Sequence, residues 1–264
     1  MEGLEERKVK ELKFHDQHRD QECVSRLPQD SYDRLYGFRK YYRTVQLSTD
    51  FLARWINLQV AGEIFLDYAC GNGKSAILAA QAGAALAIGM DISEISVKNS
   101  RQHARERGVA DSTYFLQGDC ENSGLPNACI DRILCAGVLH HLDLSFAFPE
   151  MRRILKPGGI ILAVEALDYN PLIKFYRNRT PQMRTEWEKS HILSYKDVHF
   201  ARRFFDVKNI RHWHLFSIAG AYVPSAAPLL NGIDKMILKW PLIKKLSWMF
   251  TFELHKIEKA SKSS

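Results

Sequence analysis

The sequence predicts an α/β fold: one doubly wound, seven-stranded, mostly parallel sheet with helices on both faces. Three observations predict it. Short apolar runs alternate with helical patterns through about residues 60–168, the signature of consecutive β-α-β units. The run Ile160–Glu165 is almost continuously apolar, as in a strand covered on both faces. The chain has 264 residues, 46% hydrophobic and 25% charged, which suits one such domain with elaborations. That composition excludes a disordered tail, a collagen and a coiled coil.

The elements follow in order. Ile64–Asp67 reads as the first strand, ended by the turn Ala69-Cys70-Gly71-Asn72-Gly73. Lys74–Ala82 is an Ala-rich helix stopped by Gly83, and Leu86–Met90 is a second strand ending at Asp91. Ser93–Arg107 has helical spacing, with Ser93 or Asp91 placed to cap it and Gly108 to stop it. Thr113–Gln117 is a third strand, followed by Gly118-Asp119. Ile130–Cys135 is a fourth, with a helical start at Leu139-His140-His141. Phe146–Leu155 is a helix closed by Lys156-Pro157-Gly158-Gly159, and Ile160–Glu165 is the fifth strand.

Two flanks surround this core. Residues 1–58 read as a helical cap rich in aromatics: Tyr32, Tyr36, Phe38, Tyr41, Tyr42, Phe51 and Trp55. Residues 59–264 form the main domain, with a basic lid insert over about 168–200. Val207–His214 and Trp248–Leu254 supply the last two strands, the final one reversed. Between them, Pro241 interrupts a helix through Ile233–Leu246 or starts a new turn.

Five cysteines (Cys23, Cys70, Cys120, Cys129, Cys135) form no CxxC pair, which argues against a zinc site or disulfide framework and for a reducing compartment. The start, MEGLEERKVKEL, is charged, so no signal peptide is expected. The stretch Leu215–Leu238 is interrupted by Asp234 and Lys235 and broken further by two prolines and several small residues, whereas a spanning helix needs ~20 continuous apolar residues. The expected location is cytoplasmic, with peripheral contact at a membrane surface left open. Net charge is +7, and residues 170–264 carry 17 Lys/Arg against 7 Asp/Glu. Such a region attracts nucleic acid, anionic membrane or an anionic substrate, or is simply a solvated face. No nucleic-acid module accompanies it, so nucleic acid is not expected as a partner.

The chemistry lies in Leu66-Asp67-Tyr68-Ala69-Cys70-Gly71-Asn72-Gly73. A strand turning sharply into a helix, with Gly71 and Gly73 at the turn, lets a ligand approach the backbone closely. Asp91 ends the next strand, where a carboxylate can hold both hydroxyls of a ribose. Asp119 ends the third strand, where an adenine edge would lie. The GxGxxG dinucleotide pattern is not met, because Lys74, Ser75 and Ala76 follow Gly73. Asp67, just before the turn, suits a cationic amino group better than a pyrophosphate. For Asp67 and Asp91, helix or turn capping is the structural alternative.

These pieces together resemble the class I S-adenosyl-L-methionine-dependent methyltransferases of the type-11-like, small-molecule kind. The matching segments are LDYACGNG (66–73), GMDIS (89–93), GDCENSGLP (118–126), IDRILCAGVLHHL (130–142) and MRRILKPGGIILAVEA (151–166). One departure is Ala69, where the family usually has Gly. The resemblance implies a Rossmann-like fold and S-adenosyl-L-methionine as cofactor. It implies that Asp67 and the backbone from Ala69 to Gly71 hold the methionyl amino and carboxylate groups. By the same resemblance Asp91 binds the ribose, Ile92 flanks the adenine, Asp119 accepts from the adenine amino group beside Cys120, and the backbone near Cys135 helps hold the amino group.

Methyl transfer from a sulfonium is an in-line displacement, so alignment carries much of the catalysis. A hydroxyl nucleophile also needs a base, and His140 or His141, after the fourth strand, has a suitable ordinary pKa of ~6.5. Glu165, at the end of the fifth strand, is the candidate acid partner. Alternatively a histidine only caps its turn or packs on the cofactor, and no protein base acts. Tyr176, Arg177 and Arg184 of the insert are candidate acceptor contacts, the arginines as a clamp for a carboxylate or phosphate. Ion pairs to Glu186 and Glu188 are the alternative. Ile233–Trp248 mixes apolar residues with four lysines, either a helix packed on the sheet or a membrane-surface segment.

The expected function is O-methylation of a sugar, polyketide or lipid-like small molecule, anionic or lipid-linked. The alternatives are a cyclase or decarboxylase-like enzyme using the cofactor structurally, or a membrane-associated binding module. Oligomeric state is open.

Overall fold

Ile64–Tyr68 (β1) is buried along nearly its whole length and pairs in parallel with two neighbours at once, which sets it at the centre of the sheet. The computed structural model describes residues 4–20, 24–37 and 39–257. Cys23 and Phe38 lie outside the described residues. On one side of β1 is Leu86–Asp91 (β2), itself paired in parallel with Thr113–Gln117 (β3). On the other side is Ile130–Ala136 (β4), with Tyr68 opposite Cys135. The remaining strands are Leu155–Ala166 (β5), Asp206–Trp213 (β6) and Met249–His255 (β7), and the order across the sheet is β3-β2-β1-β4-β5-β7-β6.

The last strand is reversed, as expected. Lys256 N–H donates to Gly159 O, and Leu167 N–H to Trp248 O, so residue numbers fall on β7 as they rise on β5. Parallel strands need crossovers, and Lys74–Gln81 (α1), Glu94–Glu106 (α2) and Leu144–Ile154 (α3) provide them. Ser93 caps α2 by accepting from Ser96 N–H at 3.1 Å, and Asp143 caps α3 through Ser145 N–H at 2.9 Å.

Two boundaries differ from the sequence expectation. Lys156-Pro157-Gly158-Gly159 does not separate helix from strand: β5 already begins at Leu155, directly after α3. Gly158, at φ +72°, kinks the backbone within an otherwise extended run, so the turn residues shape the strand's start instead of preceding it. The helical stretch read through Ile233–Leu246, with Pro241 as its interruption, starts earlier, and its helix spans Ala227–Ile237 with Pro228 in its first turn. It ends ahead of Trp240-Pro241, because proline disfavours helical backbone in the residue before it. A single tight turn, Ile243–Leu246, follows.

The chain divides into two compact units. One holds residues 56–163, 195–210 and 252–264, and with them β1 to β4 and the crossovers. Its core is the apolar interior of the strands, including Phe65, Leu66, Ile133, Leu134 and Phe148, all fully buried. The other holds residues 1–55, 164–194 and 211–251. It contains helices at Glu6–Arg19, Gln29–Tyr36, Pro171–Arg179, Glu186–Ser190 and Ala227–Ile237.

In the second of these units the tie-points are polar. Asp234 is fully buried and its carboxylate accepts from three successive backbone N–H groups, Leu215 (3.1 Å), Phe216 (2.8 Å) and Ser217 (3.0 Å). His214, also fully buried, lies between Ser48 Oγ at 2.8 Å and Ser217 Oγ at 3.0 Å. Burial holds His214 down to about 4, against a smaller upward pull from Asp234. Among the described residues, no helix is long and apolar enough to cross a membrane.

Candidate active site

The carboxyl ends of β1, β2, β3 and β4 bring the sequence-predicted cofactor residues into one unit. Parallel pairing sets Asp67 opposite Gly89 and Met90 opposite Leu116, so the loops after these strands emerge side by side. Cys70 N–H donates to Met90 O at 2.9 Å, tying the turn after β1 to the end of β2. The turn is left-handed at Ala69 (φ 59°), Gly71 (φ 54°) and Gly73 (φ 75°). Ala69 therefore adopts a conformation in which its Cβ is strained, the physical counterpart of the glycine usual in similar sequences.

The two glycines do different things. A Cβ on Gly73 would lie 2.8 Å from Ser100 Cβ and 2.9 Å from the Phe115 ring, so this glycine lets α1 pack closely against α2 and β3. The sequence reading gave both glycines to ligand approach. Gly71 is the one whose own amide is held by a site carboxylate: its N–H donates to Asp91 Oδ2 at 2.8 Å, and its carbonyl accepts from Ser100 Oγ at 3.0 Å.

Asp91 is buried and its other oxygen accepts from Ser93 N–H at 2.9 Å. The turn-holding alternative for Asp91 is thus real: both of its oxygens hold backbone amides of the two loops. Asp67 is also buried, and one oxygen accepts from Ala76 N–H at 3.2 Å. Burial pushes the Asp67 carboxyl up to about 7. The Ala76 amide opposes that, the Asp91 charge adds to it, and the Ser75 amide opposes it again. A cationic amino group beside Asp67 would favour the ionised form. The donor set therefore fits a nucleoside that carries an ammonium group.

After β3, Asp119 is half-buried and accepts from Glu121 N–H at 2.9 Å. Cys120 is buried, its carbonyl accepts from Tyr68 OH, and burial holds its thiol well above the ordinary range. Ile92 is half-buried, and its carbonyl accepts from Gln117 Nε2 at 3.0 Å. Cys135, next to last in β4, is fully buried, with its sulfur turned to Met151 Sδ at 3.6 Å.

His140 and His141 sit on the tight turn Leu139–His141 after β4, half-buried, with ring centroids 4.2 Å apart. Buried Leu139 anchors that turn. One residue escaped the sequence reading. Glu121, buried in the loop after β3, accepts from Asp143 N–H at 2.7 Å and so ties the segment after the histidine turn to the loop that carries Asp119. Its signal was present, an acid two positions past Asp119 in GDCENSGLP, but its partner lies 22 residues away.

The remaining candidates belong to the other unit. Glu165 is fully buried near the end of β5. Tyr176 packs its ring on Tyr41 at 5.3 Å, with its hydroxyl 3.8 Å from Met183 Sδ. Arg177 and Arg184 share the Glu188 carboxylate at 3.1 and 3.4 Å, while Glu186 pairs with Lys189 instead. Burial and the neighbouring Arg177 guanidinium lower the Arg184 pKa, as expected where two cations face one carboxylate.

The sheet order and the strand-end turn define a Rossmann-like domain for a nucleoside cofactor. Residues 66–163, less than half of the chain, match the family model described as a methyltransferase domain, and over that stretch the chain is similar to S-adenosyl-L-methionine-dependent methyltransferases. It is 35% identical over 112 residues to the 27-O-demethylrifamycin SV methyltransferase of Amycolatopsis mediterranei, covering 42% of this chain and 41% of that protein. It is 31% identical over 134 residues to a ribosomal protein L11 methyltransferase of Vibrio cholerae, covering 50% and 44%. With a sterol 24-C-methyltransferase of Eremothecium gossypii it shares 23% over 135 residues, covering 51% and 36%. The matched segment spans less than half the length of these curated relatives.

Among solved structures, a geranyl diphosphate C-methyltransferase from Streptomyces coelicolor A3(2) superimposes with a TM-score of 0.68 at 14% identity, covering 97% of this chain and 100% of that one. The [4+2]-cyclase SpnF gives 0.59 at 19% identity, covering 81% and 83%. At such identities the likeness establishes the fold alone.

Proposed function

We propose that the chain transfers a methyl group from S-adenosyl-L-methionine to a small molecule, with a hydroxyl oxygen of a sugar, polyketide or lipid-like acceptor as the target. The observation that carries the proposal is the buried, protonatable Asp67 beside Asp91 at the turn after β1. Asp67 would take the methionyl amino group, Asp91 the ribose hydroxyls, and Asp119 the adenine amino group. Gly71 and Ala69 offer backbone to the methionyl end, and Ile92 an apolar side to the adenine.

When bound, this cofactor supplies an electrophilic methyl on a positively charged sulfur. The chain's own part is alignment and proton removal. His140 is the proposed base, accepting the acceptor's hydroxyl proton as the new oxygen–carbon bond forms, with His141 the second candidate. Glu165 is the proposed acid partner. Acceptor recognition is assigned to residues 1–58 and 168–200, including Tyr176, Arg177 and Arg184. The named acceptors of the relatives are chemically diverse (a rifamycin, a ribosomal protein and a sterol). They favour no single atom, so oxygen rests on the paired histidines.

A cyclase or decarboxylase-like reaction on the same scaffold is the second reading, favoured by the fold shared with SpnF. Product mass separates the two. A methyltransferase releases S-adenosylhomocysteine and adds the mass of one CH2 to an acceptor, and a cyclase does neither. The direct test is calorimetric titration of the folded protein with S-adenosyl-L-methionine, where no binding at millimolar ligand overturns the proposal. In an acceptor panel, His140→Ala is expected to lower turnover by about 10²–10⁴-fold with cofactor affinity unchanged. Full activity in that variant removes His140 from the role.

A further inference from the structure

We propose that the ledge from Tyr222 to Leu246 docks on the surface of an anionic lipid bilayer. The inference stands apart from the methyl-transfer reading and rests on three features of the unit that contains the ledge.

The first is apolar exposure. Leu229 is 69% exposed, Met236 64%, Trp240 67% and Leu242 79%, with Tyr222 and Val223 also in the open. On the helix Ala227–Ile237, Leu229 and Met236 are seven residues apart and share a face, and Trp240 continues that line just past its end. The opposite face is the packed one, where Asp234 and Leu238 are buried. Polar residues normally occupy the outer face of such a helix. A run of large exposed apolar side chains marks an interaction surface.

The second is charge. Lys235, Lys239, Lys244 and Lys245 are interleaved with these side chains, and Asp234 is the only acidic residue between Leu215 and Phe252. That carboxylate is buried on three backbone amides and offers nothing to the surface. Among the described residues none of the four lysines forms an ion pair. Exposed Leu, Met and Trp set among unpaired lysines complement an interface of acyl chains and anionic headgroups. The same charge disfavours a second copy of the chain, because a two-fold contact would place lysines against lysines.

The third is continuity with Pro171–Arg179. Asn170 Nδ2 donates to Leu246 O at 2.6 Å at one end of the ledge. At the other, Tyr176 packs on Tyr41, whose hydroxyl lies 2.6 Å from Tyr222 OH. Leu172 and Phe175 on this neighbouring helix are exposed, and Arg179 covers the Phe175 ring. The surface therefore widens beyond a single helix.

The experiment is flotation of the full chain with phosphatidylcholine vesicles, with and without phosphatidylserine, at low and raised salt. The chain is expected to float with phosphatidylserine vesicles and to be released by salt. Replacing the four lysines by glutamine should weaken binding by about fivefold per lysine. Trp240→Ser with Leu242→Ser should weaken it by about tenfold or more. Both variants are surface changes, and an unchanged melting temperature and cofactor titration would show that the fold is intact. Failure to float with anionic vesicles, or undiminished binding by both variants, overturns the proposal. So does a vesicle-free dimer dispersed by the Trp240/Leu242 variant, which would assign the ledge to a second copy.

Discussion

Two elements of this protein, the helix Ala227–Ile237 and strand β1, each bury an aspartate, and the two are treated differently. After β6, Asp234 accepts from three consecutive backbone amides, so its acceptor needs are met within the chain. Near the end of β1, Asp67 receives Ala76 N–H and the adjacent Ser75 amide, has the Asp91 charge beside it, and is pushed up to about 7. The first arrangement is complete and its role is structural. The second has fewer donors and a like charge beside it, and it is the one to which the proposal gives a ligand's ammonium group. Burial alone does not tell a structural carboxylate from a binding one; the count of donors around it does.

The largest expected effect tests the structural side. Asp234→Ala leaves three backbone amides, that of Ser217 buried, without their acceptor and should lower stability by about 2–4 kcal/mol in denaturant titration. A loss no larger than that of a surface substitution would break the comparison.

Asp67→Asn should act in the opposite direction on stability. Because folding raises the Asp67 pKa, the folded state holds a proton that the unfolded state releases. Wild-type stability therefore declines from about pH 4 to about pH 7, by at most about 4 kcal/mol. The asparagine keeps an acceptor for Ala76 N–H but cannot ionise, so melting curves should show the variant gaining on wild type across that window. It should also bind S-adenosyl-L-methionine more weakly, and wild-type affinity should rise with pH through 7.

His214, next to the amides that Asp234 holds, gives an acid-side counterpart. Its pKa is lowered by folding, so its contribution is present above about 6.5 and is lost as pH falls toward about 4, by at most about 3 kcal/mol. His214→Asn, which tolerates the left-handed backbone there (φ 64°), should flatten that part of the stability profile. An unchanged acid slope would show that another group carries it. The smallest effect is on binding: Asp91→Ala should weaken cofactor affinity by about tenfold to a hundredfold, through loss of charge-assisted bonds. Affinity equal to wild type would remove Asp91 from the ribose.

Legibility in the sequence followed the range of the interaction. Strand Thr113–Gln117 and the Ser93 cap were readable because period, apolar run and capping residue all lie within a few positions. The placement of Asp67, Asp91 and Asp119 at or just past the strand ends was readable because it follows from the β-α-β repeat. The start of β5 was not, because Pro157 and the glycines signal a turn whether it separates elements or bends one. Arg177 and Arg184 were visible as cations, but whether they faced a ligand or Glu188 was not.

The order of the apolar runs, the placement of aspartates at strand ends and the basic balance of the last third were fixed by the chain's own residues. They are local or additive properties, which need no knowledge of what meets what. Tertiary structure alone decided that Gly73 is needed against Ser100 and Phe115, that Glu121 holds Asp143, and that Ser48 meets His214 across 166 residues. It also decided that one face of Ala227–Ile237 is covered and the other is not. Each of these depends on a donor, an acceptor or an excluded volume contributed by a distant segment, and spacing along the chain carries no record of that distance in space.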